Sequence, residues 1–259
     1  MSTVTAERRG SHLFVVMDDP ATRNAMTDGL LGGLEAVFDQ VEAEPDLHSL
    51  VLTGANGAFC AGADLKSVGA TAAGGKDPAW VSNHRGGRFF ARLNALPCAV
   101  IALVDGPAFG GGFGMTCCAD IVLASARARF ALSETSLGLV PAQIAPHVVN
   151  RIGLKQARRL ALTGEQLSGQ RAVDVGLVDF TAETVDALQP ILDDLLNRIR
   201  RCGPRANGVT KRLLQSLSPA PETFIEAAAD AFTAALRGPE GQEGVAAFVE
   251  KRKPRWFET

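Results

Sequence analysis

Short apolar runs, separated by polar and glycine-rich segments, recur along the first two thirds of the chain. Runs such as LFVVM at residues 13–17 and SLVLT at residues 49–53 are too short for helices and predict buried strands. Longer segments between them carry apolar residues at three- and four-residue spacing, which predicts amphipathic helices. This alternation is typical of an α/β layered fold.

The hydrophobic pattern predicts six strands and seven helices. The predicted strands are 13–17, 49–53, 98–104, 121–124, 129–132 and 176–180. The predicted helices are 28–44, 80–96, 154–162, 184–201, 204–217, 221–236 and 241–251. Thr27 is placed to cap the first helix, and Pro204 and Pro221 suit helix starts. A glycine-rich polar segment at 70–77 predicts a loop.

The pattern becomes almost entirely helical after about residue 141, apart from the predicted strand at 176–180. We therefore expect an α/β core over residues 1–200 and a helical region over residues 201–259. Such a helical region either covers its own core or packs on a neighbouring subunit.

Composition and charge exclude some classes of function for this protein. The 259 residues are 46% hydrophobic and 21% charged, as in a globular protein, and the net charge is -2. That charge gives no electrostatic reason to expect nucleic acid or a membrane surface as partner. No apolar run approaches the roughly 20 residues that span a bilayer, and the N-terminus has no secretory h-region. We expect a cytoplasmic protein that binds neither nucleic acid nor a membrane.

The cysteines and histidines indicate neither disulfides nor a metal site. Five cysteines are an odd number, and four of them lie in apolar surroundings: Cys60, Cys98, Cys117 and Cys118. We expect these four to be reduced core thiols. The sequence has no CxxC motif, and its four histidines are scattered, so no metal ligand set is expected.

A cluster of five glycines stands in DGPAFGGGFGMTCCADIVLAS, residues 105–125, directly after a predicted strand. Glycine is disfavoured within helices and strands, so the cluster needs a reason. It could expose backbone N–H groups at a helix N-terminus to an anion or a developing oxyanion. It could equally allow a helix to pack closely on a strand. Neither G-x-G-x-x-G nor G-x-x-x-x-G-K-[ST] is present.

A second loop of small residues favours the oxyanion alternative. AFCAGADLK, residues 58–66, also follows a predicted buried strand. Two such loops at strand ends could each direct one N–H at a single carbonyl oxygen, which is the geometry of an oxyanion hole.

These motifs together resemble the crotonase (enoyl-CoA hydratase/isomerase) superfamily. The resemblance rests on six segments in the family's order, over nearly the whole chain: RNAMT, FCAGADLK, DGPAFGGGFGMTCCADIVLAS, ARFALSETSLGLVPA, LTGEQLSGQRAVDVGLVD and AFVEKRKPRW. It implies a spiral of ββα turns with a C-terminal helical region that serves trimerisation and caps coenzyme A. It also implies homotrimers or hexamers built as dimers of trimers. The implied substrates are acyl-CoA thioesters, with coenzyme A entering as part of the substrate and no separate cofactor.

The resemblance also implies roles for individual residues. Ala63 and Gly111 match the two positions whose N–H groups bind the thioester oxygen. Glu134, in LSETSLG, matches the second of two glutamates that flank the water in family hydratases. The first would stand at Gly114, so this chain keeps one of the two. The residues matching positions that hold or approach the carrier are Arg23, Ala61, Asp64, Leu65, Lys66, Gly110, Phe248 and Lys251.

The substrate and the reaction stay open between alternatives. The segment PAQIAPHVVNRIG, residues 141–153, resembles the 3-methylglutaconyl-CoA and isohexenylglutaconyl-CoA hydratase subgroup, whose substrates carry a second carboxylate. Candidates to hold it are Arg85, Arg88 and His147, although a histidine on a helix is more often structural. The leading hypothesis is a hydratase that uses Glu134 alone. The alternatives are a Δ3-Δ2 enoyl-CoA isomerase and a non-catalytic acyl-CoA-binding protein.

Overall fold

The computed structural model describes residues 4–64, 76–217 and 222–257. Most of the loop predicted at 70–77 and the predicted helix start at Pro221 therefore lie outside the described residues.

Two sheets are present in the described part of the chain. The strands are β1 (Val4–Arg9), β2 (His12–Met17), β3 (Ser49–Gly54), β4 (Ala99–Val104), β5 (Pro107–Phe109), β6 (Ile121–Ser125), β7 (Arg129–Ala131), β8 (Leu167–Ser168) and β9 (Phe180–Ala182). The larger sheet has the order β1-β2-β3-β4-β6-β9, antiparallel at β1-β2 and parallel elsewhere. The smaller has the order β5-β7-β8. The chain passes repeatedly from one sheet to the other, so it winds as a spiral.

Helices follow and cover these strands. They are α1 (Asp28–Ala43), α2 (Pro78–Ala95), α3 (Gly111–Cys118), α4 (Ala145–Thr163), α5 (Gly169–Asp174), α6 (Gln189–Arg200), α7 (Pro204–Gln215), α8 (Glu222–Arg237) and α9 (Pro239–Val249). Short 3-10 turns span Glu134–Leu137, Asp186–Leu188 and Arg255–Phe257. The Thr27 hydroxyl accepts a hydrogen bond from the Leu30 N–H at 3.2 Å, which confirms the predicted cap of α1.

Apolar side chains pack on both faces of the larger sheet. On one face they join α1, α2 and α3, where the rings of Phe38 and Phe89 lie 5.3 Å apart. On the other face Val51, Ile101 and Leu123 pack against the apolar side of α6. Burial on both faces explains why β3, β4 and β6 are continuous apolar runs in the sequence.

The hydrophobic pattern missed three strands, β1 and the short β5 and β8, and misplaced another. In β1 only Val4 is buried, so the strand has no apolar alternation to find. The predicted strand at 176–180 is wrong, because β9 begins only at Phe180. Leu177 and Val178 are buried, but they lie in a turn whose N–H groups both donate to the Ala172 carbonyl.

The fold class is confirmed: a mixed α/β architecture with a largely parallel sheet and helices from α6 to the end of the described chain. The predicted core thiols are buried, at Cys60, Cys98, Cys117 and Cys118. Among the described helices, none combines the length and apolar character that crossing a bilayer would require.

Candidate active site

A cavity of about 340 Å³ opens where α2, α3, α8 and α9 approach the loop after β3. Its walls are mostly apolar, and both predicted oxyanion loops contribute to it. Ala63, Gly111 and Glu134 all line this one cavity, although 71 positions separate the first from the last. Apolar cavities with a few polar groups are the usual form of small-molecule sites.

Backbone hydrogen bonds fix the loop that carries Ala63. The Met26 N–H donates to the Gly62 carbonyl at 2.8 Å, and the Ala61 N–H donates to the Arg23 carbonyl at 3.1 Å. The fully buried Asn24 side chain adds a bond from Nδ2 to the Ala58 carbonyl at 2.8 Å. Hydrogen bonds with the RNAMT segment, residues 23–27, therefore hold this loop in place.

The glycine cluster begins a helix at the cavity wall. Gly110 has φ 48°, a conformation that favours glycine, and Gly111 is the first residue of α3. The N–H groups of Ala63 and Gly111 have no hydrogen-bond partner among the described residues. A first-turn helical N–H has no partner within its own helix, so Gly111 is available to a ligand oxygen.

Both explanations of the glycine cluster apply, at different positions. A Cβ at position 112 would lie 2.5 Å from the Cys60 carbonyl oxygen, so α3 packs too closely on the neighbouring loop for any side chain there. A Cβ at position 111 would overlap Met26 Sδ. Close packing thus places α3 where Gly111 can face the cavity.

Glu134 is a titratable group of the cavity, together with Asp64 of the loop after β3. It begins the 3-10 turn Glu134–Leu137, whose end is closed by the Gly138 and Leu139 N–H groups. Its Oε1 lies 3.2 Å from where a Cβ at position 110 would stand, and its Oε2 is buried without a partner in the described structure. Burial raises the pKa of the carboxyl to about 7, against a slighter lowering by its own backbone N–H.

The space at Gly114 is filled by other side chains. A Cβ there would overlap Ile144 Cγ2 and would lie 3.1 Å from Phe90 Cε1. Ile144 belongs to the PAQIAP segment, and both it and Phe90 line the cavity. The place where the family's first glutamate would begin is therefore an apolar wall in this chain.

The residues predicted to meet the carrier divide into three groups. Ala61, Asp64, Gly110 and Phe248 line the cavity. Arg23 and Lys251 are exposed and do not line it, and both have φ 56°. Leu65 and Lys66 lie outside the described residues.

The three candidates for binding a second carboxylate lie away from the cavity. The Arg85 guanidinium donates to Glu35 and Asp28, both at 2.7 Å, and Arg88 is exposed. His147 is buried, and burial lowers its pKa to about 4. Among the described residues that line the cavity, none is Arg, Lys or His. The described chain also brings no three potential metal ligands together.

Several cavity residues were not predicted from the sequence. Phe90 and Asn83 stand on one face of α2, Gln143 and Ile144 precede α4, and Phe232 comes from α8. The signal in the sequence for Gln143 and Ile144 is the PAQIAP motif, residues 141–146, that contains them. Nothing in the sequence distinguishes Asn83 from a solvated helical residue.

The chain is similar to known proteins over nearly its whole length. The family model for enoyl-CoA hydratase/isomerase matches residues 7–259. A 2,3-dehydroadipyl-CoA hydratase of Escherichia coli is 30% identical, covering 98% of both chains, and a mevalonyl-coenzyme A hydratase of Beauveria bassiana is 34% identical, covering 94% of this chain and 90% of that protein. The solved structure of Pseudomonas aeruginosa AtuE is 44% identical with a TM-score of 0.80, covering 98% of this chain and 99% of that one.

Proposed function

The chain belongs to the enoyl-CoA hydratase/isomerase family, and from that premise we propose that it adds water to a 2-enoyl-CoA thioester with Glu134 as its single acid-base group. The observation that carries the proposal is one cavity holding a buried carboxyl oxygen and the N–H groups of Ala63 and Gly111, all three without a hydrogen-bond partner in the described part of the chain.

In the proposed reaction the two N–H groups donate to the thioester oxygen and stabilise the enolate that forms there. The Glu134 carboxylate takes a proton from a water whose oxygen bonds to C3. The same carboxyl then returns that proton to C2, so one O–H bond of water and the C2=C3 π bond break while C3–O and C2–H bonds form. A pKa of about 7 for Glu134 suits both the uptake of the proton from water and its return to C2, because a general acid-base group works best when its pKa is near the operating pH. Coenzyme A enters within the substrate, and we propose no separate cofactor.

We propose further that the acyl group is branched or of the glutaconyl type. The PAQIAP segment and Gly114 support this, since they resemble that hydratase subgroup. The Escherichia coli relative's name supports a second polar group on the acyl chain, because adipyl is derived from a dicarboxylic acid.

Isomerisation is the second candidate, and the wall at Gly114 favours it. Ile144 and Phe90 fill that space. Two carboxyl groups line the described cavity, Asp64 in the loop that carries Ala63 and Glu134 in the 3-10 turn, so Glu134 is the one carboxyl outside that loop. A single carboxyl suffices for a Δ3-Δ2 proton shift, which needs no water.

Mass spectrometry of acyl-CoAs incubated in oxygen-18 water tests these assignments. The panel holds crotonyl-, 3-methylcrotonyl-, 3-methylglutaconyl- and 3-hexenoyl-CoA. We expect label to enter an enoyl substrate, and Glu134→Gln to lower the rate by about 10²- to 10⁴-fold, the usual contribution of an acid-base group. Glu226→Gln, an exposed carboxyl on α8, is the matched control and should keep the wild-type rate.

The pH profile gives an independent check. Because Glu134 must be ionised to accept the proton of water, kcat/KM should rise with pH through about 7 and then level off. Isomerised 3-hexenoyl-CoA without label would replace hydration by isomerisation. Binding without turnover on the whole panel would favour the non-catalytic alternative.

A further inference from the structure

Two amide side chains meet on the wall of the cavity. Asn83 comes from α2, and Gln143 comes from the segment before α4. They lie among the apolar side chains Phe90, Ile144 and Phe232. Nothing in the proposed chemistry uses either amide.

The hydrogen bonds of Gln143 determine how both amides are oriented. Its Nε2 lies 2.9 Å from the Ile225 carbonyl oxygen of α8 and 2.8 Å from Asn83 Oδ1. A backbone carbonyl only accepts, so Gln143 must present its NH₂ group to Ile225. Its second hydrogen then points to Asn83, which must offer Oδ1. Asn83 is therefore left with Nδ2 and its two N–H donors, which have no partner among the described residues.

Gln143 itself has little freedom to turn. It is 6% exposed, and its Oε1 is buried without a partner in the described structure. Gly87 makes room for its amide, because a Cβ at position 87 would lie 2.7 Å from Gln143 Cδ and would overlap Oε1. Gln143 is thus a positioning residue that holds the Asn83 amide in one orientation.

The Asn83 amide stands away from the reacting end of the cavity. Phe90, which approaches the Gly111 and Gly114 positions, is seven residues further along α2. At 1.5 Å per helical residue, Asn83 is displaced by about 10 Å along the helix axis. A group bound there belongs to the distal part of an acyl chain rather than to the thioester.

We propose that Asn83, held by Gln143, binds an oxygen atom on the distal part of the acyl chain. This inference rests on the proposed function, since it concerns the acyl group of the same substrate. Two uncharged N–H donors match a ketone, ester, hydroxyl or carboxylate oxygen. A plain hydrocarbon chain would remove water from these donors and supply no acceptor, which costs binding free energy. Oxygenated acyl chains are thus selected over alkyl chains of equal length.

The test compares the affinities of saturated acyl-CoAs, which cannot be hydrated. Three ligands of equal chain length carry a distal methylene, ketone or carboxylate, and calorimetry measures each Kd. For the wild type we expect the ketone or the carboxylate ligand to bind about tenfold more tightly than the alkyl ligand. A tenfold ratio of Kd values is the contribution of about one additional hydrogen bond. Asn83→Leu should abolish that ratio, whereas Asn94→Leu, on α2 but outside the cavity lining, should preserve it.

Three further variants test whether Gln143 and Gly87 act by positioning Asn83, and which kind of oxygen is bound. Gln143→Leu and Gly87→Ala should lower the ratio of the alkyl ligand's Kd to the ketone ligand's Kd, because each change frees the Asn83 amide to turn. Asn83→Asp should weaken carboxylate binding more than ketone binding, because it adds a negative charge. An equal Kd for all three ligands in the wild type, or a ratio that survives Asn83→Leu, would overturn the subsite.

Failure of the subsite and failure of the proposed function give different results. If the oxygen-18 experiment shows hydration while the affinity ratio is absent, only the subsite is wrong. If the ratio is present and no acyl-CoA is hydrated, the subsite stands and the hydratase proposal fails.

Discussion

Burial of Glu134 destabilises the folded protein at neutral pH, because the charged carboxylate lies in a cavity that offers its Oε2 no partner among the described residues. The pKa rises from an ordinary 4.5 to about 7, so the folded state holds its proton over a pH range where the unfolded state has lost it. Stability is therefore fully present below pH 4.5 and falls as the pH rises to about 7. At about 1.4 kcal/mol per tenfold change in ionisation constant, the loss is at most about 3 kcal/mol.

Glu134→Gln should consequently be inactive and more stable than the wild type. We expect equal denaturation midpoints at pH 4 and a higher midpoint for the variant at pH 8, by up to about 3 kcal/mol in the free energy of unfolding. Urea denaturation at the two pH values measures this. A variant that is equally stable at pH 8 would mean that the carboxylate is well solvated.

Gly114→Glu should not create a second catalytic carboxyl. Its Cβ would overlap Ile144, so the variant must displace the cavity wall or bury an unpaired charge. We expect a loss of about 2 kcal/mol or more in stability and no gain in hydration, by thermal denaturation and rate assay. Gly29→Glu is the control that should keep its stability, because Gly29 is exposed near the start of α1 and a Cβ there would make only an ordinary contact, 3.9 Å from Thr27 Oγ1.

The sequence predicted the residues at the reacting end of the cavity better than the residues of its side walls. Ala63, Gly111 and Glu134 stand in motifs that a family resemblance can match, and the structure brings all three to one cavity. Their catalytic roles stay predictions. Asn83 could not be found, because its place in the cavity depends on contacts of α2 with Gln143 and α8 that no local pattern encodes.

At the scale of elements, α3 shows how packing positions a functional group. Gly112→Ala would place a Cβ 2.5 Å from the Cys60 carbonyl oxygen, which belongs to the loop that carries Ala63. We expect a stability loss of about 1–3 kcal/mol together with reduced turnover, because the two oxyanion loops would be pushed apart. Gly29→Ala, also helical but unobstructed, should retain stability and rate. A fully active Gly112→Ala would show that the loop spacing is not critical.

The same scale shows what periodicity can predict. Buried parallel strands such as β3 and β4 contain runs of apolar residues and were found within one residue at each end. The exposed β1 was missed, and buried residues in the turn before β9 were mistaken for a strand. A run of buried apolar residues does not by itself distinguish a strand from a turn.

At the scale of the whole molecule, α7 leaves an apolar strip uncovered. Val209, Leu213 and Leu214 are each more than half exposed, and Leu217 just beyond the helix is 78% exposed. Uncovered apolar surface of this kind favours association, which supports the predicted homotrimer or hexamer and a helical region over residues 201–259 that serves it. Both stay predictions.

Association through α7 predicts an oligomer that charges on this strip disrupt, because they would be buried without a partner in the interface. The double variant Leu213→Glu, Leu217→Glu should shift the mass in light scattering towards the monomer, while Leu162→Glu, at an exposed apolar site on α4, should not. A monomeric wild type, or an oligomer untouched by the double variant, would contradict this use of α7.

The cavity draws its chemistry and its walls from different stretches of chain. The Ala63 loop, the start of α3 and the turn at Glu134 form one end, whereas α2, α8 and the segment before α4 form the side walls. Evolutionary drift can therefore reshape the walls, one residue at a time, without disturbing the reacting groups. Related proteins with this fold could act on different thioesters while keeping the same catalytic step.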